Sequence, residues 1–237
     1  MKKILMIIPA YNEEKSIVKT VESINKIESK NYKIDYVVIN DGSTDNTKNV
    51  CIENKINFID LPCNLGIGGA VQTGYKYAYY NDYDIAIQFD GDGQHDANYI
   101  EKLATNIDEG NSLVIGSRFV AEESEFKSTF IRRVGINFLS GLIKLCTGKK
   151  VYDVTSGFRA ADKDLIKYFA FNYPIDYPEP DSLVQVIKKG YKVAEVSVKM
   201  NERQGGTSSI SGLKSAYYMI KVSFAILIAN VATKKER

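Results

Sequence analysis

The sequence predicts an α/β fold: a mostly parallel sheet with helices on both faces. Three observations carry this. Short, nearly all-apolar runs recur through the first half of the chain, and helix-compatible stretches separate them. Strands apolar on both sides of the pleat belong to parallel sheets covered on both faces. Acids, asparagines and glycines collect just past the apolar runs, where open α/β sheets bind their ligands.

The first strand is Ile4–Ile8. Its apolar stretch is too short for a secretion signal, and Pro9 with Asn12-Glu13-Glu14 stands where a small-residue cleavage site would lie. A helix is expected over Glu13–Glu28, then a strand over Ile34–Ile39 and a helix over Thr44–Asn54. In Asn40-Asp41-Gly42-Ser43-Thr44-Asp45, helix capping accounts for Ser43 or Thr44. It accounts less well for Asp41, which sits at the strand end before a glycine. A carboxylate there suits a nucleobase or ribose.

The third strand, Asn57–Leu61, leads through Asn64-Leu65-Gly66-Ile67-Gly68-Gly69 into a helix over Gly68–Tyr80. Val71 takes the place of the last glycine of G-x-G-x-x-G, and no Walker A lysine follows. Both facts argue against a dinucleotide dehydrogenase and a P-loop nucleotidase. The fourth strand, Asp84–Phe89, runs into Asp90-Gly91-Asp92-Gly93-Gln94-His95-Asp96. Asp90, Asp92 and the Gln94 amide oxygen alternate. Such oxygen donors suit a hard divalent cation that keeps substrate phosphates in its shell. A plain polar turn is the other reading.

A helix over Asn98–Gly110 and a strand over Leu113–Gly116 end the regular half. Beyond it, Arg118 follows a strand, and a helix over Phe130–Cys146 carries Arg132 and Arg133. All three arginines are candidates for phosphate binding or plain surface positions. Glu179 and Asp181 precede or open a helix over Asp181–Lys189, where first-turn acids and prolines are favourable on local grounds alone. Spacing does not separate the two as a catalytic or orienting carboxylate. After a strand over Lys192–Val198, Arg203 lies beside Gly205-Gly206 and hydroxyl residues, a suitable phosphate clamp.

Leu213–Ala232 is mostly apolar, and Lys214 and Lys221 share a helix face. This segment is expected to lie in a membrane interface or dock on a partner, the alternative being a helix packed on its own core. The expected division is a domain over 1–209 and a docking helix over 210–237. Composition agrees with a globular chain: of 237 residues, 44% are hydrophobic and 25% charged. A net charge of +2 gives no reason to expect a nucleic-acid partner. Cys51, Cys63 and Cys146 are odd in number and form no C-x-x-C pair, which argues against a disulfide framework and for a reducing cytosol.

Taken in order, Pro9-Ala10-Tyr11-Asn12-Glu13, Asn40-Asp41-Gly42-Ser43-Thr44-Asp45, Asn64-Leu65-Gly66, Asp90-Gly91-Asp92-Gly93-Gln94-His95, Gly116-Ser117-Arg118-Phe119 and Thr155-Ser156-Gly157-Phe158-Arg159 resemble family-2 inverting glycosyltransferases of the GT-A fold. The branch it resembles is that of the polyprenyl-phosphate sugar synthases, relatives of dolichyl-phosphate mannose synthase. The resemblance implies a nucleotide-sugar donor, expected to be a UDP-linked hexose or N-acetylhexosamine. It also implies Mg²⁺ or Mn²⁺ and a polyprenyl phosphate acceptor for cell-envelope glycan synthesis.

On that resemblance Pro9, Tyr11, Glu13, Asp41 and Gly66 line the nucleotide pocket, which continues past Asp90, Gly91 and Asp92. Asp90, Asp92 and Gln94 hold the metal. Arg118, Arg132, Arg133 and Arg203 meet phosphate, and Glu179 or Asp181 acts at the acceptor. Many relatives carry C-terminal transmembrane helices where this chain has one short apolar helix. Peripheral attachment to the inner face of the cell membrane is therefore expected, directly or through a small integral membrane partner. A glycosyltransferase extending a saccharide at a hydroxyl, a sugar-nucleotide nucleotidyltransferase and a non-catalytic binding module are the alternatives.

Overall fold

The computed structural model describes residues 1–120, 130–201 and 213–233, with side chains from 133 and from 217 onward in the last two stretches. Its described strands form one sheet in the order β3-β2-β1-β4-β6-β5-β7. These are β1 (Lys2–Ala10), β2 (Tyr32–Asn40), β3 (Phe58–Asp60), β4 (Ile85–Gln88), β5 (Leu113–Ser117), β6 (Arg159–Asp162) and β7 (Val193–Ser197). β1 lies between β2 and β4, and every residue from Ile4 to Ala10 is buried. That is why its sequence is uninterruptedly apolar.

The pleat sorts β1 by parity. Leu5 and Ile7 belong to one core; Ile4, Met6 and Ile8 belong to the other. The first core is closed by α3 (Gly66–Tyr80), α5 (Phe130–Thr147), α6 (Lys163–Asn172), α7 (Pro178–Lys188) and α8 (Leu213–Ala232). The second is closed by α1 (Ile17–Asn25), α2 (Thr47–Glu53) and α4 (Ile100–Asp108). Both faces of the sheet are covered, as the apolar strands require.

Two elements were not predicted. β6 inserts between β4 and β5 and runs antiparallel to both. It is four residues long, Arg-Ala-Ala-Asp, with no β-branched residue and a charge at each end, so periodicity gives no signal. α6 follows at once, its first turn fixed by Asp162 Oδ1 accepting from Leu165 N–H at 2.8 Å. The cysteines are unpaired, as expected.

α8 spans the residues predicted for it. Val222, Ile226 and Ala229 enter the first core beside α5 and α7. Tyr217, Ile220, Phe224, Leu227, Ile228 and Val231 remain exposed. Among the described residues, no helix is long and apolar enough to cross a membrane.

The carboxyl ends of β1, β2 and β4 are held level by register. β1 pairs with β2 as far as Ala10 opposite Asn40, and with β4 as far as Ile7 opposite Gln88. α3 lies close against β1 because Gly74 has no side chain: a Cβ there would fall 2.2 Å from Ile7 Cγ2. Gly74→Ala is therefore expected to cost about 1–3 kcal/mol through overpacking. Thermal unfolding should show a Tm lower by roughly 3–10 °C; an unchanged Tm would contradict this account of the α3–β1 contact.

Candidate active site

Past the level strand ends, three loops are fastened to one another. The loop after β1 turns at Asn12, which takes φ +59°. Asn12 Oδ1 accepts from Thr44 N–H at 2.8 Å, and Asn12 N–H donates to Ser43 Oγ at 3.0 Å. Ser43 and Thr44 therefore brace the first loop and do not cap a helix. The capping bond to Thr47 N–H comes from Asp45 Oδ1, at 2.9 Å. Asp41, only 4% exposed, secures the third loop by accepting from Leu65 N–H at 2.7 Å.

The loop after β4 carries the paired acids. Asp92 Oδ1 accepts from Gln94 N–H at 3.0 Å, so the polar-turn reading holds for that oxygen. Asp92 nevertheless lines the same cleft as Asp90. Behind Asp90 stands Gly157, where a Cβ would lie 3.1 and 3.2 Å from the two carboxylate oxygens and 2.8 Å from Gln88 Nε2. A side chain at 157 would occupy the place the Asp90 carboxylate takes. The Asp90 backbone N–H donates to His95 Nδ1 at 3.0 Å. His95 is buried, and burial lowers its pKa against the opposing pull of Asp90 and Asp92.

Glu179 and Asp181, inseparable by spacing, are separated by structure. α7 opens at Tyr177, which takes left-handed φ +50° and ψ +50°, and Pro178 follows. This start turns Glu179 onto the cleft wall. Asp181 is not among the lining residues; its Oδ1 accepts from Gln185 Nε2 at 2.7 Å along the helix. Burial raises both carboxyl pKa values, and the Arg159 guanidinium opposes the rise at Glu179.

Arg159 is a residue to which the sequence reading gave no role of its own. It is 2% exposed and donates to Ser156 O at 2.7 Å, Val154 O at 3.0 Å and Glu179 O at 2.7 Å. It thus locks the turn carrying Thr155 and Gly157 to the first turn of α7. The antiparallel course of β6 brings it there, a course the sequence did not reveal.

The result is a cleft of about 590 Å³, lined by Pro9, Tyr11, Glu13, Asp41, Gly66, Asp90, Gly91, Asp92 and Glu179 among others. The whole predicted nucleotide set comes together there. Five of its lining residues are acids, and no described lining residue is basic. Gln94 is not on the wall; its backbone carbonyl accepts from Asn201 N–H at 2.8 Å. Arg118 is a buried residue and not an open clamp: its Nε and Nη2 meet Asp153 at 2.8 and 2.7 Å, and Nη2 reaches Thr155 Oγ1 at 3.1 Å. Arg133 is exposed, 6.0 Å from the Phe119 ring centroid. The Arg132 side chain and Arg203 lie outside the described residues.

Asp90 and Asp92 offer hard oxygen donors, and among the described residues no three His, Cys, Asp or Glu side chains converge on an ion. That donor set fits Mg²⁺ or Mn²⁺ completing its shell with ligand oxygens, and not a closed all-protein cage.

The glycosyl transferase family 2 model matches residues 6–169. The chain is 34% identical over 244 residues to the UDP-N-acetylglucosamine–dolichyl-phosphate N-acetylglucosaminyltransferase of Methanococcus voltae, covering 92% of this chain and 95% of that one. It is 31% identical over 253 residues to dolichyl-phosphate beta-glucosyltransferase ALG5D of Trichomonas vaginalis, covering 98% and 76%. In fold it is similar to glucosyl-3-phosphoglycerate synthase of Mycobacterium tuberculosis, crystallised with Mn²⁺, UDP-glucose and phosphoglyceric acid. There the TM-score is 0.74 at 19% identity, over 97% of this chain and 80% of that one.

The raised Glu179 pKa fixes a sign. The folded state holds this proton more tightly than the unfolded chain does, so the stability gained below the unfolded value is lost as pH rises through the folded value. Glu179→Gln should match the unaltered protein in Tm near pH 4 and exceed it by a growing margin toward pH 8. A margin independent of pH would refute the burial account.

Proposed function

We propose, from the premise that this chain belongs to glycosyl transferase family 2, that it transfers a sugar from a UDP-linked donor to a polyprenyl phosphate with inversion at the anomeric carbon. The observation that carries this reading is the convergence of Asp41, Asp90, Asp92 and Glu179 on one cleft at the level strand ends. Its volume of about 590 Å³ is in the range of small-ligand sites. The names of the relatives with dolichyl phosphate acceptors support the acceptor class.

Charge supports a divalent cation. Like charges about 4 Å apart repel by roughly 4 kcal/mol at an effective dielectric of 20. A diphosphate among five acids therefore needs a counter-charge. Asp90 and Asp92 would hold Mg²⁺ or Mn²⁺, which when bound supplies Lewis-acid stabilisation of the leaving diphosphate. Pro9, Tyr11, Glu13 and Gly66 bound the nucleotide, and Asp41 receives hydrogen bonds from the base. Gln94 as a further metal donor, and Arg203 with Arg132 and Arg133 as phosphate contacts, remain parts of this proposal; Arg118, held by Asp153, does not.

Glu179 orients the acceptor, and Asp181 supports the helix that carries it. A phosphate monoester is largely ionised at neutral pH, its second pKa being about 6, so it needs no strong base. A sugar hydroxyl would need one. Residues 1–209 are taken as the catalytic domain and 210–237 as a docking helix. The exposed outer face of α8, with Lys221 over the Tyr217 ring at 4.6 Å, supports attachment at the inner face of the membrane, directly or through a small integral partner.

Incubation with a panel of labelled nucleotide sugars should give a chloroform-soluble product only when short-chain polyprenyl phosphate and Mn²⁺ or Mg²⁺ are present. Asp92→Ala should lower kcat/KM about 10³-fold, or roughly 4 kcal/mol. Pyrophosphate release or a solely water-soluble product would reject the reading. With the lipid phosphate as acceptor, Glu179→Gln should change kcat by less than about tenfold, general-base catalysis being worth about 10²–10⁴ where it operates. A loss in that higher range would assign Glu179 as base to a hydroxyl acceptor.

A further inference from the structure

Asp90 is held on three sides: by His95 and Gln88, which do not line the cleft, and by Gly157, which lines it without a side chain. His95 touches it twice: Nδ1 accepts the Asp90 backbone N–H at 3.0 Å, and Nε2 lies 3.5 Å from Asp90 Oδ2. A ring nitrogen that accepts carries no proton, so the other nitrogen carries it. The protonated nitrogen is then Nε2, the ring atom that lies nearer the carboxylate. Gln88, 1% exposed, has Nε2 at 3.5 Å from Asp90 Oδ1. Gly157 closes the third side without a side chain.

The His95 ring is fixed in turn. It stacks on Phe158 at 4.7 Å and 15°, and meets the Phe89 ring edge-on at 5.3 Å and 78°. Its backbone pairs with Met200 in an isolated antiparallel bridge. The imidazole thus has a rigid aromatic seat, and both its nitrogens face one acid.

We infer that His95 is a positioning residue for the cation: through the Nδ1 contact with the backbone and the Nε2 contact with the carboxylate, it presets Asp90 in the orientation that receives the ion. The inference rests on Asp90 and Asp92 being the metal-holding pair. His95 touches neither donor nor acceptor and transfers no proton in this account. Groups that orient a metal's ligands typically set its affinity by about 10–100-fold.

Three proteins test this: the unaltered chain, His95→Phe and His95→Asn. Phe keeps the aromatic seat and loses both polar contacts. Asn keeps an acceptor at the Nδ1 position but does not reach the carboxylate. Mn²⁺ affinity with saturating UDP is read by electron paramagnetic resonance of free Mn²⁺, and Tm is read without metal. His95→Phe should weaken Mn²⁺ by about 10–100-fold, with Asn between Phe and the unaltered chain, and UDP binding without metal unchanged. A weakening under about threefold in both variants overturns the inference, as does a loss of metal-free UDP binding in step with Mn²⁺. Should Phe fail to fold, Asn alone decides by the same thresholds. If the unaltered chain shows no Mn²⁺-dependent UDP binding, the metal reading itself falls, before any variant is made.

Discussion

Mutual repulsion among the acids of one cleft is the constraint on which the rest of the site depends. Glu13, Asp41, Asp90, Asp92 and Glu179 line it together, with no basic lining residue described beside them. Left to relax, such a group would splay apart. The fold prevents this by rigid attachment. Asp41 is bonded to Leu65, Asp90 is boxed by His95, Gln88 and Gly157, and Glu179 sits on a turn bolted down by Arg159. Concentrated negative charge held in place is poor for stability and good for binding a cation together with an anion. The neutralising charge is then supplied by what binds, so binding is coupled to relief of the repulsion.

Two buried guanidiniums do the fastening, in different ways. Arg118 is matched by a carboxylate, since Asp153 receives Nε and Nη2 in the bidentate geometry that suits Arg. Arg159 is held by three backbone carbonyls and the Ser182 hydroxyl, at 3.3 Å. Its charge acts on Glu179, whose pKa it pulls down while burial pushes it up. A hydrophobic residue would fill the space as well. It would not cross-link the 154–157 turn to α7. The planar fork of Arg, with its donors in fixed directions, is suited to joining several carbonyls at once.

What the sequence made legible was whatever depends on local order. Asp41, Asp90 and Asp92 are readable because parallel strands end where ligands bind, and an apolar run announces where the strand ends. Which of Glu179 and Asp181 lines the cleft was not readable. Two residues apart on one helix they face different ways, and the left-handed turn at Tyr177, which no pattern announced, sets which of them meets the cleft. β6 was silent because four residues with no β-branched side chain owe their strand conformation to neighbours on both edges. Arg118 reads as a surface cation until Asp153, distant in sequence, is folded against it. Ser43 and Thr44 have the chemistry of helix caps, but Asn12 on another loop takes their hydrogen bonds.

α8 shows how one helix serves two surroundings. At about 30 Å for its 20 residues it matches the thickness of a bilayer core. Length alone does not decide its place. Val222 and Ile226 are fully buried in the domain, and burying two such side chains contributes about 3–6 kcal/mol. A spanning helix would give up that packing and would also carry Lys221 into hydrocarbon, at a cost of about 2.5–3.5 kcal/mol on insertion scales. Both terms favour the seated helix. Its opposite face, with Ile220, Phe224, Leu227 and Ile228 exposed, can meet lipid without leaving that seat. On the proposed reading, the domain reaches its lipid acceptor by laying this face on the membrane while the core beneath stays intact, so attachment and stability do not compete for the same residues.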